Sequence, residues 1–227
     1  MALTTADIQA RVLYRDGLIL VIDKPAGLPV HGGPGGGPNL EQRFDALRFG
    51  LKRSPGLAHR LDRDTSGCLV LGRHPKALRK LGLLFSTGKV EKTYWAIVAG
   101  TPAQAQGRIE LSLRKETRKN GWRMVADEQG QRAVTDYRVL GSGGGRSWLE
   151  LTPHTGRTHQ IRVHCASLGC PVVGDPVYGA PQAKNPEPMQ LHSRAIVLPI
   201  YANKDAIRVE APPPKHMQAL LDAIAKQ

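Results

Sequence analysis

The chain is short of cysteine, short of acidic residues and without a long apolar run. Its three cysteines, Cys68, Cys165 and Cys170, include no Cys-x-x-Cys pair. That number excludes a four-cysteine zinc site and argues against a disulfide framework, so a reducing compartment is expected. Apolar runs such as Leu18-Ile19-Leu20-Val21-Ile22 stop far short of the roughly 20 residues that a membrane helix requires. The opening MALTTADIQARVLYRDG is mixed and polar, unlike a basic-then-apolar leader. Together these features predict a cytoplasmic protein that does not engage membranes.

The deficit of acid is the first functional sign. Asp and Glu number 19 against 32 Lys and Arg, a formal net charge of +13. Such an excess favours a polyanionic partner. At 227 residues with 41% hydrophobic content, the chain is long enough for a substantial core and too apolar for a disordered one. One domain over 1–227, or one domain with a lobed sheet, is the expected organisation.

The apolar pattern predicts strands over 17–22, 68–71, 90–98, 107–113, 131–140, 147–152, 191–200 and 206–210. Helices are expected near 40–50, over 75–86 behind Pro75 at the first turn, over 155–169, and in the tail, where Met217, Leu220, Leu221 and Ile224 form one stripe. In the first long helix Leu78, Leu81 and Phe85 should face inward. The glycine-rich run 32–38, GGPGGGP, lacks the Gly-Lys-Ser/Thr ending of a phosphate-binding loop and reads as a flexible connection. The basic stretch 114–123 reads as an exposed hairpin arm, either a nucleic-acid contact or a solvated loop. Strands dominate the middle and helices flank them, which predicts an α+β fold with a largely antiparallel, mixed sheet.

Two segments concentrate polar chemistry. His59-Arg60-Leu61-Asp62-Arg63-Asp64-Thr65-Ser66-Gly67 packs two arginines, two aspartates and a histidine ahead of a strand. On composition alone it fits a turn stapled by side-chain hydrogen bonds as well as it fits an active site. Thr155-Gly156-Arg157-Thr158-His159-Gln160-Ile161-Arg162-Val163-His164 places His159, Arg162 and His164 toward one helix face, an electropositive surface suited to phosphate or carboxylate. His154 and His159 do not match the His-Glu-x-x-His spacing, so no metal is expected.

These segments resemble the signatures of the RluA-type RNA pseudouridine synthases. HRLDRDTSG at 59–67 is similar to the active-site motif, and GRTHQIRVHCASLGCPVVGDPVYG at 156–179 to the second signature. VIDKPAGLPVH at 21–31 resembles the N-terminal signature, and EKTYWAIV at 91–98 the tyrosine strand. All four occur in the family's order, in a chain resembling the short form without an extra N-terminal RNA-binding domain.

The resemblance implies a catalytic fold with its cleft across the sheet, an isomerase that needs no cofactor, and an RNA substrate, a ribosomal or transfer RNA stem-loop. It implies Asp62, Tyr94 and Arg162 as the catalytic set, with Arg157 the second choice as partner of Asp62. Arg60, His59, Thr65, Arg157, His159, Gln160 and Ile161 are implied as substrate-binding. Ile161 would form the apolar side of the pocket, and Lys24 and Lys92 are candidates for phosphate contacts. The family also implies a monomer. Two other classes fit parts of the pattern: a non-catalytic RNA-binding protein that keeps the fold, and a nuclease or glycosidase using Asp62 with Asp64.

Overall fold

A computed structural model describes residues 4–33, 36–119, 121–179 and 187–225. Positions 34–35 of the glycine-rich run and Asn120 of the basic arm lie outside the described residues. In chain order the elements are α1 (Thr5–Gln9), β1 (Val12–Arg15), β2 (Ile19–Lys24), a 3-10 helix (Glu41–Leu47), β3 (Gly56–Leu57), β4 (Ser66–Gly72), α2 (Pro75–Ser86), β5 (Glu91–Ala99), β6 (Gln106–Arg118), β7 (Gly121–Ala126), β8 (Gln131–Gly143), β9 (Arg146–Pro153), α3 (Gln160–Ser167), β10 (Leu191–Leu198), β11 (Ile207–Glu210) and α4 (Lys215–Ala225). By internal packing they fall into two compact units, each built from two stretches of sequence: Met1–Lys92 with Ser193–Pro212, and Thr93–His192 with Pro213–Gln227.

In the first unit β2 pairs antiparallel with β1 and β4, in a register that sets Val21 opposite Val70 and Lys24 opposite Gly67. The first four residues of β2 and all of β4 are buried, as expected of strands that read as continuous apolar runs. Helix α2 closes over them. His74 caps its start through Nδ1, and Pro75 occupies the first helical position, where the missing N–H costs no hydrogen bond. Its buried stripe is Ala77, Leu81 and Leu84, with Leu78 and Phe85 half-buried. The inward face is thus rotated slightly from the expected one, and Leu78 lies close against Gly56 and Gly72, where a side chain would meet it.

In the second unit the strands run in the order β5-β9-β8-β6-β7, and each of these pairings is antiparallel. Gly144 and Gly145 close the β8–β9 hairpin at φ 59° and 74°, the left-handed pair that a two-residue turn requires between twisted strands. Helix α4 lays Met217, Leu221 and Ile224 against Ile97, Trp95 and Trp148. The basic arm forms the expected hairpin. β6 continues to Arg118, and β7 pairs back on it from Gly121, setting Thr117 opposite Trp122 and Lys115 opposite Met124. The observed fold class is α+β with a large, mostly antiparallel sheet, as the pattern predicts.

Helix α3 departs from its expected bounds. It begins at Gln160, five residues after Thr155. The preceding turn is held by the Gln160 side chain, whose Oε1 accepts from the Thr155 hydroxyl at 2.6 Å and from the Arg157 amide at 3.0 Å. His159 sits at φ 53°, a left-handed conformation incompatible with a helix interior. Residues Gln160 through Cys165 are all buried. The electropositive surface expected along this helix is therefore corrected: Arg162 and His164 point into the fold.

Candidate active site

The loop that carries Asp62 is tied down from inside the first unit. Asp62 opens a turn in which its carbonyl accepts the Thr65 amide at 3.2 Å, and aspartate is favoured at the first position of such turns. Beneath the turn lies Lys24, which ends β2 at 0% exposure. Its Nζ donates to the carbonyls of Pro25, Arg63 and Thr65, each at 2.8 Å. This geometry uses all three ammonium protons. Burial pushes the Lys24 pKa down to about 7, against the pull of Asp64, Asp62 and Asp23. The expected phosphate contact by Lys24 is thus corrected, since a fully buried ammonium bound to three carbonyls is an internal strut.

The strut leaves the Asp62 side chain half-buried, Arg60 exposed, and Thr65 and Ser66 buried. Asp64 is held by its neighbour Arg63, whose Nε and Nη2 lie 3.0 Å from its two carboxylate oxygens. Among the described residues no group of three or more His, Cys, Asp and Glu side chains is arranged to hold a metal ion.

His59 supports the same loop. Its Nε2 accepts the Val70 amide of β4 at 3.0 Å, and its ring stacks on Phe85 of α2 with centroids 4.6 Å apart. An imidazole that accepts there must be neutral at that nitrogen. Burial, with the charge of Lys92, pushes its pKa down to about 3. The unfolded chain therefore binds a proton that the folded chain refuses between about pH 6.5 and 3. Stability from this group is present above about 6.5 and is lost as pH falls through that window. His59→Gln keeps an acceptor for the Val70 amide without a titrating proton. Its denaturation midpoint should fall less steeply than the wild type's between those pH values. Parallel acid limbs for the two proteins would rule out His59 as their source. Part of the slope that remains is expected from His164, whose pKa burial lowers to about 4, and part from Asp175, whose pKa the Arg162 pair holds down.

The second unit holds the other candidates. Tyr94 lies in β5 opposite Leu151, 9% exposed. Ile161 and Arg162 begin α3, both buried. Arg162 makes a two-pronged ion pair with Asp175: Nε to Oδ2 at 2.6 Å and Nη2 to Oδ1 at 2.8 Å. Their side chains are 6% and 0% exposed. Asp175 Oδ1 also accepts the amides of Val177 and Tyr178, at 2.8 and 3.0 Å. Burial works to raise the Asp175 pKa, but the Arg162 hydrogen bonds and charge, with the two amides, hold it below the ordinary carboxylate value.

The Tyr178 ring covers the guanidinium, with Cζ 5.1 Å from its centroid. Its hydroxyl accepts the Met124 amide of β7 at 2.9 Å and lies 2.9 Å from His159 Nδ1. His159 stacks in turn on Trp122, with centroids 5.0 Å apart. Trp122 is 43% exposed and lies under the Lys115 ammonium.

Gln160 spends its amide nitrogen on the Val134 carbonyl and the Thr135 hydroxyl of β8, so its side chain ties the turn before α3 to that strand. Arg157 is exposed and donates Nε to the Arg132 carbonyl at 3.1 Å. The structure thus gathers His59, Arg60, Asp62 and Thr65 on one strutted turn, and His159, Ile161 and Arg162 at the head of one helix. Sequence reasoning missed Lys24 as a strut, and Asp175 and Tyr178 as partners of Arg162. The Asp-Pro-x-Tyr spacing at 175–178 was the available signal, since aspartate before such a turn caps the amides two and three residues on.

Comparisons with known proteins agree on one family. The family model described as RNA pseudouridylate synthase matches residues 18–167. An uncharacterized RNA pseudouridine synthase of Zymomonas mobilis is 49% identical over 207 residues, covering 90% of this chain and 94% of that one. The mitochondrial RNA pseudouridine synthase 4 of Arabidopsis thaliana is 39% identical over 175 residues, covering 67% of this chain and 37% of the relative. Among solved structures, human RNA pseudouridylate synthase domain containing 4 superposes with a TM-score of 0.82 at 28% identity, covering 97% of this chain and 95% of that one.

Proposed function

The chain belongs to the RNA pseudouridylate synthase family and is an isomerase that acts on RNA; from that premise we propose that Asp62 is the carboxylate on which the isomerisation turns. The reaction breaks the bond from uracil nitrogen to ribose, turns the base and rejoins it through a ring carbon. Nothing is oxidised and no water is consumed, so a positioned carboxylate is chemically sufficient and no cofactor is required. The observation that carries the reading is the strutted turn. A half-buried carboxylate stands on a backbone pinned by three Lys24 hydrogen bonds, and such rigidity is what a catalytic group gains from its support.

The remaining residues take roles that their surroundings support. A uridine must leave its stack before a carboxylate can reach it. Arg60, exposed beside Asp62, fills the vacated place with its planar guanidinium. Tyr94 stacks on the extruded base, and Ile161 lines the apolar side of its pocket. Arg162 completes the catalytic set, its guanidinium held in one plane by Asp175. Arg157, exposed and with Nε on the Arg132 carbonyl, is the weaker candidate for that role and better suited to phosphate. His59, Thr65 and Gln160 contribute by shaping the two loops, and His159 by stacking with Trp122 of the basic arm.

The substrates are uridines in stem-loops of ribosomal or transfer RNA, modified by a monomer in the cytoplasm. The net charge of +13 and the capacity of loops to release a base at low cost support this choice. Pseudouridine maps of ribosomal and transfer RNA from cells with and without the gene test it. One or more positions should lose the modification and regain it with the wild-type gene. Unchanged maps in both RNA classes would remove these substrates from the proposal.

A further inference from the structure

Trp122 is the second residue of β7 and is 43% exposed. It belongs to the stretch 114–123, which holds five Lys and Arg residues against one acid. Much of that charge is already paired on the arm. Arg114 meets Asp127, and Arg118 and Arg123 meet Glu116. Lys115 and Lys119 form no ion pair among the described residues. An open indole beside two unpaired lysines is therefore what the arm offers to a partner.

The indole is held in a fixed orientation. His159 stacks on it with centroids 5.0 Å apart and planes 23° apart. His159 Nδ1 lies 2.9 Å from the Tyr178 hydroxyl, which accepts the Met124 amide two residues along the same strand. His159 keeps this place at φ 53°, a left-handed conformation that a residue other than glycine holds only where its surroundings compel it. Thr117 lies opposite Trp122 and Lys115 opposite Met124, so Lys115 is the diagonal neighbour of the indole. Its ammonium rests 4.9 Å from the ring centroid, on a flexible stem that can swing away. All of these residues belong to the second unit.

We propose that Trp122 is a stacking platform for an unpaired nucleobase of the RNA, with Lys115 turning to the phosphate beside that base. The platform rests on the reading that the substrate is a stem-loop RNA. Every base has a flat face, so an indole fixed in orientation accepts one without reading its edge, and loops present bases free of pairing. An exposed indole can also seat a protein segment, but the excess of cations around this one favours a polyanion.

Tryptophan emission reads the contact directly. Trp95 and Trp148 pack edge to face beneath α4, which leaves Trp122 as the exposed reporter. A stem-loop of ribosomal or transfer RNA bound by the wild-type protein should quench the emission, and a duplex of the same stem should not. Trp122→Phe keeps an aromatic face, so affinity should stay within a few-fold while the quenching disappears. Trp122→Ala should weaken binding by about tenfold to a hundredfold. Its log–log salt slope should match the wild type's, because no phosphate contact is lost. Lys115→Gln should instead make that slope shallower by about 0.7 to 0.9.

Wild-type affinity in Trp122→Ala, equal losses in the Phe and Ala variants, or quenching that survives Trp122→Phe would each overturn the platform, as would a duplex that quenches like the stem-loop. An unchanged slope in Lys115→Gln would remove the lysine from it. Where Trp122→Ala disturbs the arm, the wild-type emission and the Phe variant still decide. If the wild-type protein binds no such stem-loop, the substrate reading falls and the platform with it. If it binds one and Trp122→Ala binds equally well, only the platform falls.

Discussion

Asp62→Asn should abolish pseudouridine formation while leaving RNA binding within a few-fold of wild type. The expected loss in single-turnover rate is about 10⁴-fold or more, the scale seen when a group that acts on the reacting atoms is removed. Asparagine has the shape of aspartate and still accepts hydrogen bonds, but it carries no charge and is a poor nucleophile. The turn should survive the change, because its hydrogen bonds come from backbone carbonyls: Asp62 to the Thr65 amide, and Arg63 and Thr65 to Lys24. Arg60, exposed and two residues before Asp62, remains available to RNA. Asp64→Asn is the matched control. Asp64 is already paired with Arg63, and its loss should change the rate by no more than a few-fold, as for other exposed ion pairs. A fully active Asp62→Asn protein, with reversion excluded by mass, would end the assignment. An inactive Asp64→Asn protein would instead favour the paired-carboxylate chemistry that the sequence left open.

The elements most legible in the sequence were those whose period and boundary signals agree. Helix α2 spans Pro75–Ser86 as expected, because proline marks its start and apolar residues recur at helical spacing. Strand β5 was readable as central because Tyr94, Ala96 and Val98 alternate with Trp95 and Ile97. Helix α3 was misread at its start because Thr155, Gly156 and His159 continue a polar run that looks helical by composition. What ends the run is a side-chain bond, Thr155 to Gln160, and a left-handed residue, neither of which leaves a periodic trace. The basic arm was legible as a hairpin, but not how far its ladder runs beyond 113. Charges occupy positions on both faces of β6, and they pair within the ladder, Arg118 and Arg123 on Glu116 and Arg114 on Asp127.

The candidate site was legible as a set of residues and not as a set of bonds. The motifs singled out Asp62, Tyr94 and Arg162. The partner of Arg162 lies 13 residues away, at Asp175, inside a stretch that reads as a turn. A carboxylate there meets an arginine only after α3 and the turn have folded, so no local spacing announces the pair. Lys24 is the sharper case. A lysine after a buried strand and before Pro25-Ala26-Gly27 looks like a surface residue at a turn, and the overall excess of positive charge encourages a phosphate contact. Its inward course follows from β2 pairing with β4, which sets Lys24 opposite Gly67 and carries it under the loop that precedes β4.

Lys24→Met should therefore have a large effect on stability, with catalysis lost as a consequence. Methionine matches the length of the lysine stem and fills the slot, so the change deletes three hydrogen bonds with little change of volume. Three carbonyl oxygens lose their donor, that of Thr65 buried and those of Pro25 and Arg63 partly buried. A buried acceptor without a partner costs roughly 1–3 kcal/mol, and removing a desolvated charge returns part of that sum. A net loss of about 3 kcal/mol is expected by denaturant unfolding, a large share of the roughly 5–15 kcal/mol that holds a domain folded. At temperatures where the variant is still folded, the Asp62 turn lacks its support. The chemical step should then slow by about a hundredfold, as for a displaced catalytic group. Lys24→Arg should fail as well, since a guanidinium does not fit a slot with 0% exposure. A Lys24→Met protein with wild-type stability and rate would mean that the turn keeps its shape without the strut.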